Sequence, residues 1–116
     1  MNLREKVLKC FVEVSPEDQR NFDGTGLLLQ LYDSTERDDR NEIIKAMGDL
    51  IETSENPRLV AQLVQFANAL DLVQLYYNVE RLRDSGRFID IDYMQDAIKD
   101  YFNIRDFRMG NYPKPV

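Results

Sequence analysis

The stretch that decides the fold is Arg40 to Leu70, RNEIIKAMGDLIETSENPRLVAQLVQFANAL. At about 100° per residue, Ile43, Ile44, Met47, Leu50 and Ile51 fall on one arc of a helix, while Arg37, Glu42, Lys45, Asp49 and Glu52 fall outside it. One face is therefore made for burial. The pattern stops at Ser54, Glu55 and Asn56, ahead of Pro57, because a proline ring disfavours helical geometry in the residue before it. Asn56 is then a ready N-cap, and Pro57 suits the first helical position, where its missing N–H costs nothing. A second stripe follows in Leu59, Leu63, Phe66, Ala67 and Leu70, with Val60 and Val64 widening the apolar arc towards another neighbour. The spacing predicts a helical hairpin that the rest of the chain packs around.

On the N-terminal side, Asn2 and Glu5 form a capping-box-like start to a helix whose stripe is Leu3, Val7, Leu8, Phe11 and Val14. Cys10, on the flank of that stripe, reads as a small buried or half-buried hydrophobe. Ser15, Pro16, Glu17 and Asp18 predict a second, short helix, broken by DGTG at Asp23 to Gly26. Leu27 to Tyr32 is too short for periodicity to separate helix from strand; its leucines and the available cap Thr25 favour helix. Asp33 to Arg40, DSTERDDR, reads as a loop or first turn leading into the hairpin.

On the C-terminal side, extending the Pro57 helix would put Leu72, Leu75, Tyr76, Val79 and Leu82 on nearly the opposite face from Leu59, Leu63 and Phe66. The phase predicts a break near Asp71, with Asp71 and Gln74 as a capping box and Asp84, Ser85 and Gly86 as the next helix end. RFIDI at Arg87 to Ile91 alternates like a short extended piece. Asp92 and Gln95 are expected to cap a last helix that carries Tyr93, Met94, Ala97, Ile98, Tyr101 and Phe102 on one side. Gly110, Pro113 and Pro115 predict an irregular tail from Asn103 onwards, draped over the helices with Ile104 and Phe107 inserted in the core. The fold class is all-α, with five to six short antiparallel helices in a hairpin stack or orthogonal bundle around one core. A single helical domain is expected over residues 1–102 and an irregular tail over 103–116.

The helix, the turn holding Asn56, Pro57 and Arg58, and a second helix with Leu-Val repeated at four-residue spacing resemble one unit of a HEAT-type helical repeat. This covers roughly a quarter of the chain, and no 30 to 50 residue period is legible beyond it. The resemblance implies a stacked helical scaffold that binds other proteins, and it implies no catalytic residue.

Composition narrows the function. The 116 residues suffice for one core, and a hydrophobic content of 43% argues against disorder. The net charge of −6 disfavours general affinity for nucleic acid or anionic membrane, since phosphate binding needs clustered cations. The absence of histidine removes His-based triads and histidine metal sites, and a single cysteine removes thiolate zinc sites and an internal disulfide. Gly24, Thr25 and Gly26 lack the spacing and lysine of a phosphate loop, and Asp90, Asp92 and Asp96 lack the glycine and glutamate of a calcium loop. No enzyme, metal or cofactor is expected. With no signal-like start and no apolar run near the ~20 residues of a membrane span, the reading is a soluble cytoplasmic protein.

The acids are unevenly spread: between Glu13 and Glu55 twelve face four basic residues, a local balance of −8 that leaves +2 elsewhere. Such clustering steers a basic protein partner and penalises wrong ones. The candidate partner-binding residues are Tyr32, Asp33, Glu36, Asp38, Asp39, Glu42 and Asp49. The expected function is a non-enzymatic acidic interaction domain, an inhibitor, immunity-type or adaptor protein that masks a basic partner. A second reading is a regulatory factor touching nucleic acid through Arg105, Phe107, Arg108, Tyr112 and Lys114. The wide apolar arcs around Val60, Val64, Val73 and Tyr77 close either within one chain or across a homodimer.

Overall fold

The computed structural model describes the backbone of residues 2–12 and 25–109, and the side chains of 2–10 and 26–105. Six helices make up the described chain: α1 (Leu3–Val12), α2 (Thr25–Ser34), α3 (Arg40–Thr53), α4 (Pro57–Ala69), α5 (Tyr76–Asp84) and α6 (Asp92–Met109). Short 3-10 turns, Arg37–Asp39 and Val73–Leu75, lead into α3 and α5. Among the described residues there is no strand, so the fold is all-α. The short helix expected from Ser15 and Pro16 lies outside the described residues, as does Val14.

The hairpin of α3 and α4 is central. Ile43, Met47 and Ile51 are fully buried and Ile44 and Leu50 nearly so, while Glu42, Lys45 and Asp49 stay exposed. Burying one such aliphatic side chain is worth about 1.5–3 kcal/mol, so this stripe dominates the stability of α3. At the hairpin turn, Asn56 Oδ1 accepts from the backbone N–H groups of Arg58 (3.1 Å) and Leu59 (3.3 Å), and Pro57 opens α4. α3 also packs against α1 and α5, and α4 against α2 and α6. With neighbours on several sides, Val60 and Val64 are fully buried within one chain, although Val73 stays exposed and Tyr77 half-exposed. At the N-terminus of α1, the Glu5 N–H donates to Asn2 Oδ1 at 2.8 Å and Asn2 Nδ2 faces Glu5 Oε1. Cys10 is buried, its thiol donating to the Lys6 carbonyl. Leu27 to Tyr32 is helical, as leucine content favours, and Thr25 is the first residue of α2 rather than its cap.

The break at Asp71 is sharp. Asp71 takes φ 54°, a left-handed conformation that suits aspartate better than most residues, and Leu72 N–H reaches back to Ala67 O at 2.9 Å. Leu72, Leu75, Val79 and Leu82 are then buried as their spacing predicts. The expected Asp71–Gln74 capping box is corrected. The caps are Leu72 and Leu75, which have no side-chain acceptor, and Gln74 lies inside the 3-10 turn. The Asp71 carboxylate instead meets Arg105 Nη2 at 2.9 Å. α5 ends as expected, with Gly86 at φ 72° just past its C-cap Ser85.

RFIDI is not extended. Residues 85–90 are a chain of turns with Phe88 at φ 60°, and Ile89 is 65% exposed. Long-range bonds override the alternation here: the Arg87 guanidinium donates to the carbonyls of Ile51, Glu52 and Ser54 at the end of α3, and Gln95 Nε2 donates to Phe88 O. Gln95 is thus spent on the loop. Asp92 sits in the first turn of α6, and the Ile91 carbonyl accepts from the N–H groups of Met94 and Gln95.

α6 does not stop at Phe102. It continues to Met109, so the boundary expected at residue 103 falls within a helix, since NIRDFRM contains neither glycine nor proline to end it. Tyr93 is 41% exposed while Met94, Ala97, Ile98, Tyr101 and Phe102 are buried. Ile104, expected in the core, is exposed. Arg105 takes that role instead, 1% exposed, over the Tyr101 ring at 4.5 Å. Its Nη1 donates to Asn68 Oδ1 and its Nη2 to Asn68 O at 2.8 Å, which satisfies orphan acceptors at the end of α4. Beside it Tyr101 Oη donates to the Leu72 carbonyl at 2.8 Å, and burial pushes the Tyr101 phenol above its ordinary pKa.

Candidate protein-interaction site

Six of the seven candidate residues gather where α2 hands over to α3. The corner is built on Arg40. Its Nε donates to the carbonyls of Tyr32 (3.0 Å) and Thr35 (3.2 Å), its Nη2 to that of Asp33, and its guanidinium lies over the Tyr32 ring at 4.8 Å. The last carbonyls of α2, which have no partner inside their own helix, are satisfied in this way. Tyr32 is half-buried and meets Phe66 edge-on at 6.2 Å between ring centroids, so it braces the corner more than it projects from it.

Around this knot, Asp33, Glu36, Asp38 and Asp39 are all exposed. Among the described residues their carboxylates make no ion pair or hydrogen bond. Asp38 and Asp39 precede α3 and Glu42 lies in its first turn, where the helix dipole favours negative charge and gives these acids a local role as well. Glu42 has only a loose contact with Lys45, 3.9 Å between two exposed groups.

Farther along α3 the acids are taken. Asp49 pairs with Arg4 Nε at 2.9 Å and shares a surface groove with Glu42 and Lys45. Glu52 accepts from Asn78 Nδ2 at 2.7 Å and from both Nε and Nη2 of Arg81. The Arg81 hydrogen bond holds the Glu52 carboxyl below its ordinary pKa, and Glu52 in turn raises that of Arg81.

Two surface grooves lie where the start of α3 meets the Val73–Leu75 turn, and share Asp38, Asn41, Ile44 and Gln74. One reaches back to Tyr32, Arg37 and Arg40, and the other forward to Glu42, Lys45, Gly48, Leu75 and Asn78. Gly48 matters in the floor: a Cβ there would come within 2.8 Å of Asn78 Nδ2 and 3.0 Å of its Cγ. Asn41 and Gln74 escape a reading based on charge and periodicity, because lone carboxamides carry neither signal.

Among the described residues, no group of three or more His, Cys, Asp or Glu side chains could hold a metal ion, and no helix is long and apolar enough to cross a membrane. Of the basic residues expected to face nucleic acid, Arg105 is buried and committed to α4, and the others lie outside the described side chains. No family model, no curated protein and no solved structure matches the chain.

Proposed function

We propose that the chain is a non-enzymatic, acidic helical interaction domain of the inhibitor, immunity or adaptor kind, and that its α2–α3 corner masks a basic surface on a protein partner. One observation supports this reading above the others. Asp33, Glu36, Asp38 and Asp39 are exposed and unpaired among the described residues, whereas Asp49 and Glu52, farther along the chain in α3, are paired with Arg4 and Arg81. Uncommitted like charges raise encounter rates with an oppositely charged surface, and they do so most strongly at low salt.

The test is reversal of Asp38, Asp39 and Glu42 to lysine. The variant is expected to keep the helical circular dichroism of the wild type, losing about 1–2 kcal/mol of stability with the helix-dipole contacts. It is expected to retain no basic protein in an affinity pull-down from which the wild type recovers one in a salt-sensitive manner. Unchanged capture by the lysine variant would reduce the corner to a solvated surface.

A further inference from the structure

The turn between α5 and α6 is held against its own sequence. RFIDI alternates as an extended piece does, yet residues 85–90 are turns and Phe88 sits at φ 60°. A bulky side chain rarely takes that left-handed conformation, and it persists only where the surroundings over-determine it. Here they do: Gln95 Nε2 and the Ile91 N–H both donate to the Phe88 carbonyl, the Ile89 N–H donates to Gly86 O, and the Arg87 guanidinium lies over the Phe88 ring at 5.0 Å. We propose that this turn is a domain-swapping hinge: opened into the extended form its sequence prefers, it delivers α6 to the same seat on a second copy of this chain, giving an exchanged dimer.

α6 is suited to exchange because its partners are few. It packs chiefly on α4 and more lightly on α5. Arg105 to Asn68 and Asp71, Tyr101 to the Leu72 carbonyl, and the Phe102 ring to that of Tyr76 at 5.2 Å all join it to α4, to α5 or to the turn between them. Each of these contacts is remade when the identical helix arrives from a second copy, so exchange preserves the core. Short connections under strain favour this route, since opening them releases the strain.

The hinge itself changes little else. Residues 86–91, once extended, form a tether of about 20 Å between two globules. The bonds from Arg87 to the carbonyls of Ile51 and Glu52 come from the start of the segment and are compatible with opening beyond it. Ile89 is 65% exposed in the turn, so it gives up no burial on leaving it. In an extended hinge Ile89 and Ile91 share one face, and two hinges running past each other cover those side chains. The acidic corner takes no part, so this inference is independent of the function proposed above.

The test is to refold the full chain from urea at low and at high protein concentration and to separate monomer from dimer by size exclusion with light scattering. The concentrated sample is expected to contain dimer. Phe88→Gly, which removes the strain from the closed turn, should lower the association constant about tenfold. Gln95→Ala, which removes a bond made only in the closed turn, should raise it by about the same factor. Spin labels then separate exchange from surface contact: one sample is labelled at Gln65→Cys on α4, another at Asp96→Cys on α6, both exposed positions, with the buried Cys10 left unlabelled, and the two are refolded together. In an exchanged dimer the distance between the labels equals that within a doubly labelled monomer. A dimer with a different distance, a dimer favoured by Phe88→Gly, or a chain that stays monomeric when concentrated, in wild type and Gln95→Ala alike, overturns the proposal.

Discussion

At the seam between α4 and α6, a single guanidinium, Arg105, is 1% exposed and reaches Asn68 and Asp71 at once; at the α2–α3 corner, the carboxylates of Asp33, Glu36, Asp38 and Asp39 reach nothing among the described residues. The seam needs its charge to close helix ends that would otherwise be orphaned in a desolvated place, where unsatisfied groups are costly. The corner needs only part of its charge, because the dipole of α3 is served by the acids nearest its first turn. The contrast separates a charge committed to side-chain and carbonyl partners from charges that have none among the described residues, and binding is sought at the second set.

Three experiments can break or sharpen that contrast. The largest effect is expected at the seam: Arg105→Ala should cost about 3 kcal/mol in urea denaturation. It removes the donors for the Asn68 carbonyl, though Asp71, with its side chain 44% exposed, can regain water. A loss below about 1 kcal/mol would show that the seam does not depend on its arginine.

Next, Tyr101→Phe should cost about 1–2 kcal/mol, since it leaves the buried Leu72 carbonyl without its donor. Burial raises the folded-state pKa of this phenol above its unfolded value near 10. Its stabilising contribution is therefore complete below pH 10 and is lost as pH climbs beyond it. Alkaline denaturation should thus be shallower in the phenylalanine variant, and identical alkaline slopes would contradict the raised pKa.

The smallest effect is expected on α3. Glu52→Gln should cost less than about 1 kcal/mol at neutral pH, because its partner Arg81 is largely exposed. The folded pKa of Glu52 lies below the ordinary 4.5, so its contribution is present above that value and fades as pH falls through the folded pKa. Wild type and variant should converge in acid; a constant difference down to low pH would assign the effect to packing instead.

The hairpin was legible because two local signals agreed: the apolar phase of Ile43 to Ile51, and the Asn56–Pro57 step that stops one helix and caps the next. The break near Asp71 was legible from phase alone. What escaped was set by distant partners. Arg87 is bonded to carbonyls more than thirty positions earlier in the chain, and nothing in RFIDI announces them. Arg105 falls on the continuation of the Ile98 and Tyr101 stripe at helical spacing, a signal that was present, but periodicity that treats arginine as a surface residue passes over it. At the candidate site, acid clustering groups Asp49 with the acids near the start of α3, and sequence distance carries no information about its pairing with Arg4.

The position of Arg105 has a consequence for where this domain can be cut. Among the described side chains of α6, Phe102 is the last apolar one that is buried, so a truncation designed from that stripe would stop there. Such a fragment would lack the guanidinium that ties the end of α4 to α6, and the left-handed turn at Asp71 would lose the charge that holds it. A piece with this architecture thus has to reach at least to a cation three residues past the last buried apolar side chain described in α6.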